Sequence, residues 1–191
     1  MATYCGLNDS SPDLVDYWTS GPTLYWRSGG YTCPGSGTQV VQELSAYCRL
    51  NSGSAHIRLG VYNTSGTLLG YGTSEVAVSS SLGWQGHMSE SAVQAVGGGS
   101  LQLTGGVNYI LAVCDDQASI YVYYGMNNVA SAVNLKLTDY TGGLPSSLPS
   151  PDVTVDNEYC IRCGVDPALS AKAIPPRLLT PQQSFQHMLV R

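Results

Sequence analysis

Apolar and polar positions alternate along most of this chain with the two-residue period of β-strands. In residues 54–72, SAHIRLGVYNTSGTLLGYG, the residues Ala55, Ile57, Leu59 and Val61 form one apolar row, while His56, Arg58 and Tyr62 line the other. The run stops at Asn63-Thr64-Ser65-Gly66, a turn whose glycine can take positive φ, so residues 67–80 are expected to return as the second arm of a hairpin. The apolar row reads as a wall of the core. The row of His56, Arg58 and Tyr62 reads as an outer sheet face, with Arg and Tyr suited to a contact surface.

The same alternation recurs elsewhere. In QVVQELSAYCRL the pattern puts Val40, Leu44, Ala46, Cys48 and Leu50 on one face, with Glu43, Ser45, Tyr47 and Arg49 opposite. WQGHMSESAV (84–93) predicts a less regular strand. After the loop AVGGGS come LQLTGG and VNYILAVC, the latter apolar on both faces and so expected to be central. ASIYVYYG (118–125), SAVNLKL (131–137) and VTVDNEYCIRC (153–163) predict further strands, the last two separated by TGGLPSSLPSPD. Before residue 165 no ten-residue segment shows helical periodicity. Together these predict an all-β, antiparallel, jelly-roll-like β-sandwich of about eight to ten strands over residues 1–165. Residues 1–37 form an aromatic, turn-rich N-terminal segment of that domain.

From residue 166 the pattern changes. In DPALSAKAIPPRLLTPQQSFQHMLVR the prolines 167, 175, 176 and 181 rule out a long helix or an internal strand. Leu178, Leu179, Phe185 and Met188 lie between and beyond them, and a merely solvated tail avoids such residues. Residues 166–191 are therefore expected to be an extended C-terminal arm that assembles the protein, either with copies of itself or on a scaffold or capsid protein.

Composition sharpens the class. Charged residues are only 11% of the 191, and thirteen Tyr stand against one Phe, a mixture suited to a turn-rich β protein. Residues 1–165 carry twelve acids and five bases, a balance of −7, and residues 166–191 carry three bases and one acid, a balance of +2. An acidic body without a basic cluster argues against nucleic-acid binding. No apolar run is long enough to span a membrane. The N-terminal MATYCGLNDSSPDL has neither a basic region nor an apolar core, so no secretory signal is expected and synthesis in a cytoplasm is.

Candidate chemistry is sparse. No nucleophile elbow, phosphate loop, dinucleotide fingerprint or zinc-protease helix motif is present, and no catalytic residue is nominated. His56, His87 and His187 lie in separate segments. Cys160 and Cys163, three apart on a strand, face opposite sides and cannot jointly grip one metal, so no metal site is assigned. The six cysteines read as small buried hydrophobes; if oxidised, Cys160 or Cys163 could reach Cys5 or Cys33. Asp115-Asp116, or Asp152 with Asp156, offers oxygen ligands for a structural calcium, but turn chemistry accounts for them better, and no cofactor is expected. Trp18, Tyr25 and Trp26 in an aromatic run, and Tyr121 with Tyr123 on one strand face, are candidate platforms for a glycan or other flat ligand.

The hairpin L-x-V-Y-x-x-S-G-x-L at Leu59–Leu68, the strand-opening Trp84, and L-T-x-G-x-x-Y-x-L-x-V at Leu103–Val113 together resemble a group of jelly-roll β-sandwich domains over about residues 38–126. Such domains occur as accessory modules of bacterial surface proteins and in tail or other structural proteins of phages. The resemblance implies a non-enzymatic building block or binder, with no catalytic or ligand residues to carry over. With the arm and the absent signal, it leads to an expected virion-type subunit, a capsid decoration or tail-associated protein, located in a virion or extracellular surface assembly. The alternative is a glycan-binding module like those of carbohydrate-active proteins.

Overall fold

In a computed structural model of the chain, residues 3–8, 14–17, 23–50, 52–116, 122–127, 133–137, 143–155 and 158–167 are described. Their strands, in chain order, begin with β1 (Thr3–Gly6), β2 (Leu14–Tyr17), β3 (Thr23–Arg27), β4 (Tyr31–Thr32), β5 (Thr38–Leu50) and β6 (His56–Asn63). Next come β7 (Leu68–Gly72), β8 (Val76–Ala77), β9 (Gly83–His87), β10 (Val93–Ala95), β11 (Gln102–Thr104) and β12 (Asn108–Asp115). The last are β13 (Val122–Asn127), β14 (Val133–Leu137), β15 (Val153–Val155), β16 (Glu158–Tyr159) and β17 (Ile161–Pro167). One 3-10 turn, Glu90–Ala92, is the helical element among the described residues.

The fold is an antiparallel β-sandwich. One sheet runs β1-β17-β5-β13-β16, with β9 and β11 also on β5 and β2 on β13. The other runs β10-β7-β6-β12-β3-β14-β15, with β4 on β12 and β8 on β6. There are more strands than the alternation predicted because glycine turns and bulges divide the longer runs. The hairpin arm expected over 67–80 becomes β7 and β8, and the strand expected over 84–93 becomes β9, the 3-10 turn and β10.

The hairpin forms as its sequence predicts. Asn63 closes the turn by accepting bonds from the Ser65 hydroxyl (2.7 Å) and the Thr67 N–H (2.9 Å), and Gly66 takes φ 85°. VNYILAVC is central, since β12 pairs with β6 on one side and β3 on the other. Its alternate residues feed two apolar layers. Tyr109, Leu111 and Val113 enter the main core between the sheets, with Ile57, Leu59 and Val61 of β6. Ile110, Ala112 and Cys114 face outward into a second cluster with Leu24, Trp26 and Tyr62.

That second cluster corrects the expectation for Tyr62. It is fully buried, not on an open outer face, because residues 143–148 cross the sheet above it. Leu144 and Leu148 pack on the cluster, the Tyr62 hydroxyl donates to the Pro145 carbonyl (3.0 Å), and Leu68 N and Leu148 N bond across to Ser146 and Gly66. Gly60 lies beneath the strap, where a side chain would make the end of Leu144 shift.

A second correction concerns β5. Gly164 pairs with Glu43 but Val165 pairs with Val41, so Gln42 is an extra residue in the ladder. This bulge resets the alternation. Val41, rather than Val40, joins Leu44, Ala46 and Cys48 in the core. Strand β17 also runs to Pro167, opposite Gln39, two residues past the expected end of the sandwich. Proline fits there because a strand end can forgo one ladder donor.

Candidate functional site

Two constructed surfaces emerge, and neither coincides with the predicted platform. The first begins with Ile57, which points into the main core and so turns His56 and Arg58 outward. Strand β12 sets Asp115 opposite Ile57, which brings Asp116 beside His56. On the other edge β8 sets Val76 opposite Ile57, which brings Glu75 beside Arg58. Register alone thus gathers four ionisable side chains on one outer face.

Their contacts are specific. The Asp116 Oδ1 accepts the His56 backbone N–H at 2.8 Å, and its Oδ2 lies 3.0 Å from the His56 Nδ1. The Glu75 Oε1 pairs with the Arg58 guanidinium, while its Oε2 lies 4.0 Å from the same His56 Nδ1. Ligand atoms of His56, Glu75 and Asp116 all lie within 4.8 Å of one another. A cleft of about 440 Å³ adjoins them, lined by Arg58, Tyr71, Thr73, Glu75 and Leu144 among others.

The second surface lies on the outside of the other sheet. Cys5, Leu44, Ala46 and Cys163 enter the core, so Tyr4, Glu43, Tyr47 and Arg162 point away from it. The Arg162 guanidinium lies between two rings, 4.6 Å from the centre of Tyr4 and 3.9 Å from that of Trp84. It also pairs with Glu43 (2.6 Å), donates to the Ser45 hydroxyl (3.1 Å) and reaches the Asn8 side-chain oxygen (2.6 Å). Trp84 meets Tyr47 edge to face at 5.4 Å. A side chain at Gly164 would stand 3.0 Å from the Glu43 Cβ and 3.3 Å from the Tyr4 ring, so glycine leaves both their room. Tyr4 also borders a polar cleft of about 490 Å³ lined by Arg27, Ser28, Thr32 and Asn108.

The predicted glycan platform is corrected where the structure describes it. Tyr25 and Trp26 are only 1% and 4% exposed, because β3 is an interior strand between β12 and β14 and offers both faces to apolar layers. Tyr25 lies in the main core against Tyr159, with ring centres 5.0 Å apart, and Trp26 lies in the outer cluster. Trp18 and Tyr121 lie outside the described residues. Tyr123 is described by its backbone alone, in β13 between Tyr17 and Arg49. Leu178, Leu179, Phe185 and Met188 also lie outside the described residues.

Asp115 and Asp116, taken above as neighbouring turn acids, separate in role. Asp115 is buried and its Oδ1 accepts the Thr23 N–H at 3.2 Å, whereas Asp116 joins His56. Asp152 is exposed, and Asp156 lies outside the described residues. All six cysteines are buried, and none is in a disulfide. Cys5 sits directly across from Cys163 in the ladder, and its thiol donates to the Tyr31 carbonyl at 3.4 Å. Burial pushes the thiols of Cys5, Cys48 and Cys114 up to about 12, with nearby Cys33 adding to the effect on Cys5. His87 is buried against Gly72, and its Nε2 has no hydrogen-bond partner among the described residues.

Sequence reasoning missed both surfaces because each draws on residues far apart in the chain. The signal that could have found the first is the pairing of the ILAV and IRLG runs, which fixes Asp116 beside His56. Compared with known proteins, the chain matches no family model, no curated protein and no solved structure.

Proposed function

We propose that this chain is a non-enzymatic structural subunit of a virion-type surface assembly, a capsid decoration or tail-associated protein. Its sandwich faces outward, and its C-terminal arm docks it on copies of itself or on a scaffold or capsid protein. The observation that carries this reading is where the sandwich ends. Among the described residues the main core closes with Val165 and the last strand with Pro167. Leu178, Leu179, Phe185 and Met188 follow in a proline-spaced segment, and an extended apolar peptide suits docking on a neighbour. The resemblance of residues 38–126 to phage structural and bacterial surface modules points the same way. Deleting residues 168–191 should leave the sandwich folded and abolish assembly. An unchanged oligomeric state on size exclusion would overturn the proposal.

A second reading, a glycan-binding module, is favoured by the face built from Tyr4, Arg162, Trp84 and Tyr47. Sugar rings stack on flat aromatic surfaces while polar neighbours meet their hydroxyls. The cleft beside Tyr4, with Arg27, Thr32 and Asn108, supplies such neighbours. Screening on a broad glycan array tests it: binding lost in Trp84→Ala supports the reading, and silence across the array removes it.

A further inference from the structure

We infer that His56, Glu75 and Asp116 form a binding site for a transition-metal dication of the zinc class. The inference rests on the geometry of the first surface and is independent of the assembly proposed above. Each carboxylate has one oxygen held by a donor outside the prospective coordination sphere. Asp116 Oδ1 is held by the His56 N–H, and Glu75 Oε1 by the Arg58 guanidinium. The other oxygen of each is directed at the same imidazole nitrogen, at 3.0 and 4.0 Å. Outer donors that fix ligand orientation in this way are a regular part of metal sites.

The spacing suits the ion. Two N or O ligands about 2.0–2.1 Å from a tetrahedral zinc stand roughly 3.3 Å apart. The two separations from the His56 Nδ1, 3.0 and 4.0 Å, bracket that value, and all three ligand atoms lie within 4.8 Å of one another. Closing the longer separations requires the Glu75 carboxylate to swing toward His56 and Asp116, and its side chain is 40% exposed. His56 is exposed to the same degree, so the ion has an entry path from solvent.

The donor set selects the class of metal. One imidazole with two carboxylates suits zinc, cobalt or nickel, whereas calcium and magnesium prefer oxygen alone. Ligation through Nδ1 requires the neutral ring with its proton on Nε2, so the hydrogen bond to Asp116 gives way to a shared ion. Three protein ligands leave a tetrahedral ion one position for water or a partner's side chain. The adjoining cleft shares Arg58 and Glu75 with the site, which places an anionic group from a partner within reach of both the ion and the guanidinium.

The test is calorimetric titration of the purified full chain with zinc chloride, alongside calcium and magnesium chloride. One zinc per chain is expected, with neither of the other ions binding at the same concentrations. His56→Gln and Asp116→Asn should each weaken zinc binding by at least about tenfold. In the unsubstituted protein, cobalt should broaden the amide resonances of residues 56, 75 and 116 before others, a readout that needs no variant. Absence of zinc binding, equal affinity in both variants, a cobalt–thiolate absorption band, or broadening centred on another segment would each overturn the inference.

Discussion

The guanidinium of Arg162 lies 3.9 Å from the centre of the Trp84 ring, with the Tyr4 ring on another side and Glu43 at its edge. Arg162 and Glu43 are each only 13% exposed, so this ion pair is largely desolvated on an outer sheet face. Removing one partner strands the other charge. Arg162→Met is therefore expected to destabilise the fold by about 2–3 kcal/mol, less than a fully buried pair would cost. Trp84→Ala, which also loses the contact with Tyr47, is expected to cost about 1–2 kcal/mol. Urea denaturation measures both, and an unchanged midpoint for Arg162→Met would contradict the clamp.

The strap over the second cluster makes its own prediction. Tyr62→Phe removes the bond to the Pro145 carbonyl and should cost about 1 kcal/mol, and Leu144→Ala should cost about 1–2 kcal/mol. Their effects should fall short of additivity, because both act through the docking of residues 143–148. A double-mutant cycle in denaturant measures this; full additivity would mean that strap and cluster are energetically separate.

Of the fold, the most legible parts were those where local pattern and tertiary position agree. VNYILAVC is apolar on both faces because it has apolar layers on both sides, and NTSG carries its turn chemistry within four residues. The alternation around Val40 misled because a bulge at Gln42 leaves no mark in composition. Tyr62 looked outward because its cover comes from residues 143–148, some eighty positions later. Tyr25 and Trp26 looked like a platform because turns flank them, and only the insertion of β3 between β12 and β14 reveals their burial. The cluster at His56 needed strand register on two edges, which a single sequence does not supply.

Buried thiols should be silent in the native state. With Cys5, Cys48 and Cys114 pushed up to about 12 and Cys163 well above the usual thiol range, the reactive thiolate is scarce at neutral pH. Ellman's reagent should label none of the six rapidly in native protein and all six in denaturant. Rapid labelling without denaturant would contradict the burial.

His87 should make stability depend on pH. Burial lowers its pKa below the ordinary value of about 6.5, and a hydrogen bond to the Ser74 backbone offsets this only in part. The unfolded chain therefore takes up the proton at a higher pH than the folded one. The stabilising contribution of neutral His87 is present above about pH 6.5 and is lost as pH falls through the folded pKa. Melting temperatures should decline as pH falls below about 6.5, and His87→Gln should flatten that decline. An equally steep decline in the variant would assign it to other groups.

The central proposal is that the sandwich is one subunit of a larger assembly. Electron microscopy of the purified full chain, beside the chain lacking residues 168–191, tests it most directly. Ordered multimers or decorated particles are expected for the full chain and dispersed monomers for the truncated one. Dispersed monomers in both preparations would contradict it.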